Sequence, residues 1–149
     1  MPMIFPRKRG SAAGIRTDAE RDRAVAQVEF LQAAVAKLAR GRPSRRHDEM
    51  AARLEQMMSE REDEIRDYEA LKRGELKLPK AERLDQVAPL IPRIRIARGM
   101  TQTELARRLG VSKQVVSRYE ESDYLTVGLA RLQEILDVLG AKALIRLSA

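Results

Sequence analysis

The chain has 149 residues with no cysteine, no tryptophan and 3% aromatic residues, and its formal net charge is +7. Disulfides, thiolate metal sites and cysteine nucleophiles are thereby excluded, and the core must rest on Leu, Ile, Val, Ala and Met. No apolar run approaches the roughly 20 residues of a membrane span, so the expectation is a helical, cytoplasmic protein with no membrane partner, whose basic balance favours nucleic acid.

Residues 1–16 carry Arg7, Lys8, Arg9 and Arg16 without an acid, and Pro2, Pro6, Gly10 and Gly14 interrupt any regular structure. A flexible basic tail is expected there, with a DNA-seeking arm or a partner-binding peptide as its functional alternative. No apolar core follows the basic residues, so the segment does not read as a secretory signal.

Residues 17–79 read as a helical hairpin. "TDAERDRAVAQVEFLQAAVAKLAR" opens with Thr17 and Glu20, the spacing of a capping box. Ala24, Val28, Leu31, Val35 and Leu38 then recur every three or four residues, the stripe of a packed helix. "GRPS" at 41–44 ends it, with Gly41 suited to a C-terminal cap and Pro43 unable to continue the ladder. A second helix is expected from about Arg45 to Arg73, seamed by Met50, Leu54, Met57, Ile65, Tyr68 and Leu71 and ended by Gly74. Two long amphipathic helices joined by a short loop form an antiparallel hairpin for dimerisation or partner binding.

Charge marks a boundary near residue 79. Residues 1–16 hold 4 basic residues and no acid; residues 17–79 hold 13 basic and 14 acidic, a net of −1; residues 80–149 hold 12 basic and 8 acidic, a net of +4. The excess positive charge lies outside the hairpin.

Within 80–149, "TQTELARRLGVSKQVVSRYE" carries the chemistry. Thr101, with Glu104 three residues on, caps a short helix whose inner face holds Leu105, Ala106 and Leu109. Gly110 suits a left-handed cap. Ser112 then caps a second helix with Val116 and Tyr119 turned inward, and the small Ala106 lets the two helices cross closely. This is a helix-turn-helix, whose second helix can enter a DNA major groove. With Val116 and Tyr119 inside, Gln114, Ser117 and Arg118 point outward, Lys113 lies on one flank, and Val115 on the other can touch a thymine methyl. Gln pairs bidentately with adenine and Arg or Lys with guanine. Arg93, Arg95 and Arg98 precede the pair and suit phosphate contact or plain solvation. Arg107 and Arg108 are weaker candidates.

Residues 90–140, through "RIARGMTQTELARRLGVS", "VSRYEESDY" and "LARLQEILDVLG", resemble the Xre family of phage-repressor-like helix-turn-helix regulators. The resemblance implies an all-α bundle, with a first helix at 90–98, a last one at about 126–139, and Pro89 and Pro92 departing from the usual pattern. It implies phosphate contact by Gln102 and base reading by Lys113, Gln114, Ser117 and Arg118; beside it, from their positions in the chain, Thr101, Ser112, Arg93 and Arg98 are expected to position the backbone, and Gly110 and Ala106 to shape the turn.

The tail "AKALIRLSA" alternates Ala143, Ile145 and Leu147 with Lys142, Leu144 and Arg146. That period suggests a short strand over 143–149, paired across a two-fold axis; an irregular tail packed on the last helix is the alternative. The complete expectation is all-α, a long antiparallel hairpin followed by a helix-turn-helix bundle, with this possible C-terminal strand.

A helical N-terminal region before a C-terminal helix-turn-helix is similar in layout to HigA-type antitoxins, which neutralise a toxin and repress their own operon. The acidic run Glu60, Glu62, Asp63, Glu64 suits a basic protein toxin bound through residues 17–79, or is simply a solvated helix face. The leading functional reading is thus an autorepressing antitoxin of a toxin-antitoxin pair; its alternative is a plain dimeric repressor, phage or chromosomal, whose hairpin dimerises and binds no toxin. Both place a homodimer on a palindromic double-stranded operator. An enzyme is not expected. His47, the only histidine, has Asp48 beside it but no nucleophile or convergent ligands, and the glycines form no phosphate cradle. No catalytic residue, metal or cofactor is expected.

Overall fold

The structure, a computed structural model, describes residues 14–148. The basic tail expected at 1–16 therefore lies outside the described residues, except for its last three. Among the described residues every regular element is helical. One compact unit comprises residues 15–70, and residues 14 and 71–148 belong to the other.

The first unit is built on α1 (Asp18–Ala39) and most of α2 (Arg45–Lys72). Thr17 starts α1 in an extended conformation. Its hydroxyl accepts the Glu20 N–H at 3.2 Å, while the Glu20 carboxylate accepts the Arg16 N–H at 2.8 Å. The box thus closes one residue further out than the usual pattern. Ser44 does the same for α2, accepting the His47 N–H at 3.2 Å. Between the helices, Gly41 behaves differently from expectation. The cap position belongs to Arg40 in helical geometry, and the Gly41 N–H donates to Leu38 O at 3.0 Å. A Cβ there would stand 3.2 Å from the His47 ring and 3.3 Å from Leu38 O, so a larger residue would have to push the imidazole aside by a few tenths of an ångström.

The helices run antiparallel in a defined register. At one end the Tyr68 hydroxyl donates to Asp18 at 2.8 Å and Arg21 lies 3.8 Å from Glu69; at the other, Gly41 abuts His47. Ala24, Val28, Leu31, Tyr68 and Leu71 are buried, while Val35, Leu38, Leu54 and Ile65 are half-buried. Two expected seam residues are displaced: Met50 and Met57 are exposed, and Ala51 and Met58, one position later, are half-buried in their place. Sequence spacing fits either set. Packing chooses the one whose centre line lies along the partner helix.

The second unit contains α3 (Leu84–Val87), a 3-10 turn over Ala88–Leu90, α4 (Ile91–Ala97), α5 (Gln102–Leu109), α6 (Lys113–Glu121) and α7 (Leu129–Leu139). Pro89 and Pro92 each stand in the first turn of their helix, where the missing N–H has no helical partner to lose. They divide the expected first helix into a tight turn and a true α-helix. α7 begins later than expected because Asp123 and Tyr124 both take left-handed conformations, with φ of 51° and 57°. That turn folds Tyr124 back into the core, where it is 1% exposed. Around it pack Ile91, Leu105, Val116 and Ile135, each wholly buried, with Ile94, Leu109, Leu136 and Leu139. Burying each such side chain contributes about 1.5–3 kcal/mol.

Among the described residues no strand forms over 143–148. Residues 142–148 are irregular, and Leu144, Ile145 and Leu147 stand out in solvent. A strand exists only through its ladder, and a single chain offers this segment no edge to pair with.

Gly110 supports a stability prediction. Its φ is +68°, and an added Cβ would meet nothing within 4 Å. Gly110→Ala should therefore cost about 1–2 kcal/mol through backbone strain alone. Gly128→Ala, at the N-cap of α7 with φ of −65°, carries no such strain and should cost less, under about 1 kcal/mol, since Ala is a poorer N-cap than Gly but stiffens the unfolded chain. Chemical denaturation of the two variants checks the contrast.

Candidate nucleic-acid interface

The two helices over 101–121 form where their caps dictate. The Thr101 hydroxyl accepts the Glu104 N–H at 3.1 Å, while the Glu104 carboxylate turns outward to pair with Arg108 at 3.0 Å, so only half of the expected box forms. Gly110 ends α5, and the Val111 N–H donates back to Ala106 O at 3.0 Å. Ser112 opens α6 by accepting the Val115 N–H at 3.4 Å. Ala106, 2% exposed, occupies the crossing.

Beneath α6 lies a buried polar cluster. Arg95 on α4 donates to both carboxylate oxygens of Glu120 on α6, Nε to Oε1 at 2.6 Å and Nη2 to Oε2 at 2.9 Å. Its Nη1 donates to Met100 O at 2.7 Å. Gln102 donates through Nε2 to Glu120 Oε2 at 2.7 Å, and the Tyr124 hydroxyl reaches Oε1 at 3.4 Å. Glu120 is 0% and Arg95 2% exposed. A buried carboxylate persists only when its lone pairs are filled and a countercharge is held against it. Both conditions are met here, with the planar guanidinium fork matching the carboxylate.

The consequence is geometric. With Val116 and Glu120 fixed inward one turn apart, Gln114 and Arg118 fall on the opposite side of α6, again one turn apart. Lys113, Gln114 and Arg118 are exposed. Ser117 is half-buried and its hydroxyl donates to Glu121 at 3.3 Å, while Val115 is half-buried on the flank. The outward face of α6 thus presents amide and guanidinium donors to whatever the helix docks against.

The positioning candidates divide. Thr101 and Ser112 are exposed at the starts of α5 and α6, where backbone N–H groups and helix dipoles favour anions. Gln102 is 7% exposed and has its amide tied to Glu120. Arg98 is exposed and makes a long contact, 3.4 Å, with Gly140 O at the end of α7. Arg93 is half-buried, and Arg107 is exposed. Arg95 is not a surface residue at all. Sequence reading missed Glu120 because a glutamate in a polar helix looks solvated; its spacing of four from Val116 was the available signal. Tyr124 was missed for want of any glycine to announce its left-handed turn.

Residues 93–144 match the helix-turn-helix family. The matched span covers α5, α6 and α7 and most of α4, and so includes the whole buried cluster. No curated protein and no solved structure matches the chain. The helix-turn-helix match supports a DNA-binding regulator. Elsewhere among the described residues, no group of three or more His, Asp or Glu side chains gathers as a metal site, and no helix is long and apolar enough to cross a membrane.

Removing one half of the buried pair should be costly. Glu120→Ala strands the Arg95 guanidinium and is expected to lose about 3–5 kcal/mol of unfolding free energy. Arg95→Met combined with Glu120→Leu should recover only part of that loss, because the apolar pair needs no partner but leaves the Gln102 amide, Met100 O and the Tyr124 hydroxyl without theirs. Urea denaturation of the three proteins measures both effects.

Proposed function

We propose that this protein is a sequence-specific DNA-binding transcriptional regulator that acts as a homodimer on a palindromic operator. α6 enters the major groove, and Lys113, Gln114, Ser117 and Arg118 read base edges. Thr101, Ser112, Arg93 and Arg98 set the helix-turn-helix on the phosphate backbone. Gln102 joins them from beneath, its amide holding Glu120 while its helix start faces the strand. The observation that carries this reading is the outward face of α6, where Gln114 and Arg118 stand exposed one turn apart because Val116 and Glu120 are locked inside. The net +4 of residues 80–149 supplies the sequence-independent attraction. In the two-fold complex the recognition helices lie about 34–36 Å apart, in successive major grooves.

Residues 17–79 take one of two roles. In the antitoxin reading they hold a basic protein toxin, and the regulator represses its own operon; the similarity of layout to HigA-type antitoxins supports it. In the plain repressor reading they hold two copies together. The acidic run offers the first reading little free charge, since Glu64 pairs with Arg61 at 2.6 Å and Asp63 with Arg66. Co-purification with a small basic protein supports the first reading, and a homodimer that comes out alone supports the second.

The test is binding to the DNA upstream of the protein's own gene, by fluorescence anisotropy against scrambled competitor. Gln114→Ala and Arg118→Ala should each lose about 1–3 kcal/mol at a single base pair and relax specificity there. Gln102→Ala should weaken binding to all sequences alike. If operator preference survives both α6 substitutions, the assignment of the reading helix fails.

A further inference from the structure

We infer that Glu121, the last residue of α6, is a further specificity-determining residue: its carboxylate accepts from the amine of a cytosine and penalises every other base at that position. The inference rests on the DNA reading proposed above and names a base contact which that reading leaves out.

The residue stands on the outward face. Val116 and Glu120 are fixed inside, while Glu121 is exposed at the end of the helix. A helix drifts only about 20° over seven residues, so Glu121 lies almost in line with Gln114, two turns on, with Arg118 between them. About 10 Å of helix separates Gln114 from Glu121, a length that spans about three base pairs. A helix that lays Gln114 and Arg118 on base edges therefore carries Glu121 toward the same groove.

The carboxylate is uncompensated. Among the described residues, Asp85, Glu104, Glu120 and Glu134 each pair with an arginine, whereas Glu121 takes only the Ser117 hydroxyl, at 3.3 Å. The last turn of a helix disfavours negative charge, because its unpaired carbonyls already carry some. Against DNA the phosphates disfavour it again. An acid on this face lowers affinity for every sequence alike, and it sharpens discrimination where one base offsets the cost and the others do not.

The groove edges name that base. A carboxylate accepts and cannot donate. Guanine shows N7 and O6, and thymine O4, all acceptors; adenine sets N7 beside its amine; cytosine shows its N4 amine alone. Cytosine is thus the base whose edge offers a donor with no acceptor next to it. The Ser117 bond supports the same match. It commits the hydroxyl proton to Glu121, and so leaves Ser117 with acceptor lone pairs only. The last turn of α6 accepts on its outward side, while Arg118 brings donors.

The test is selection from a pool of randomised duplexes by the full-length protein, followed by fluorescence anisotropy on the selected site and on a scrambled duplex. The wild type should select a cytosine about three base pairs from the position that Gln114→Ala relaxes. Glu121→Gln should cut the preference for that cytosine at least roughly ten-fold and leave other positions unchanged. Its binding to the scrambled duplex should tighten roughly two-fold or more. Glu121→Lys should change the preferred base there from cytosine to guanine, which a merely structural role would not do. Both variants should keep the helical circular dichroism of the wild type, since Glu121 is exposed. The inference is overturned if Glu121→Gln tightens binding to all duplexes equally, because the carboxylate then only repels phosphate. It is overturned equally if neither binding nor preference changes, or if the position selects another base. A wild type that selects no site sinks the DNA reading and this inference with it. A site relaxed by Gln114→Ala and Arg118→Ala but indifferent to Glu121→Gln leaves the DNA reading standing and removes this inference alone.

Discussion

The second unit is organised around one buried ion pair. Arg95 and Glu120 lie 25 residues apart in sequence and meet where water is absent, at 2% and 0% exposure. Desolvating two charges costs several kcal/mol each, and their attraction offsets this only with near-ideal geometry and filled lone pairs. The surrounding chain supplies both, through Met100 O, the Gln102 amide and the Tyr124 hydroxyl. A hydrophobic contact at the same place would tolerate rotation or sliding of α6 by a fraction of a turn. A bidentate fork tolerates neither. The rotation of α6, and hence the side it presents outward, is set by hydrogen-bond direction as well as by packing.

The turns on either side of α6 serve the same end by different means. Before it, Gly110 takes the left-handed conformation at little cost, because it has no Cβ. After it, Asp123 and Tyr124 take similar conformations with side chains present, a conformation costing on the order of 1–2 kcal/mol per residue. That strain is offset by what it delivers. Tyr124 returns to the core, its ring 5.8 Å from that of Tyr119 and its backbone N–H donating to Tyr119 O at 2.7 Å. The end of α6 is thus tied down as firmly as its start.

The two units differ in how far each satisfies itself. The helix-turn-helix unit closes a core in which Ile91, Leu105, Val116 and Ile135 reach zero exposure. The hairpin has no comparable centre, because two helices expose more apolar surface than they can cover between them. Some of its charges pair with neighbours on α2, Arg45 with Glu49, Arg61 with Glu64 and Arg66 with Asp63. What it leaves uncovered includes Phe30, Met50 and Met57 among those charges. A surface of that kind suits a protein partner, whereas the donors on the outward side of α6 suit base edges and phosphates.

Much of this was legible in the residues themselves. Helix starts at Thr17, Thr101 and Ser112 and the left-handed end at Gly110 follow from local chemistry, since a cap needs only a hydroxyl and the N–H two or three residues on. The all-α class and the outward set on α6 follow from periodicity, which is a property of the helix and not of its surroundings. Other features depend on which side of an element meets another. Spacing allowed Met50 and Met57 as readily as Ala51 and Met58, and only the packed hairpin chose between them. The tail at 142–148 alternates like a strand yet forms none, because a strand is defined by a partner that the alternation does not supply. Arg95 and Glu120 read as two ordinary surface charges until folding closes the 25 residues between them. The sequence by itself thus determined the helices and their faces, for which nearby residues suffice; the tertiary structure alone decided which charges would be buried and which apolar residues left outside, because those outcomes depend on distant parts of the chain arriving at one place.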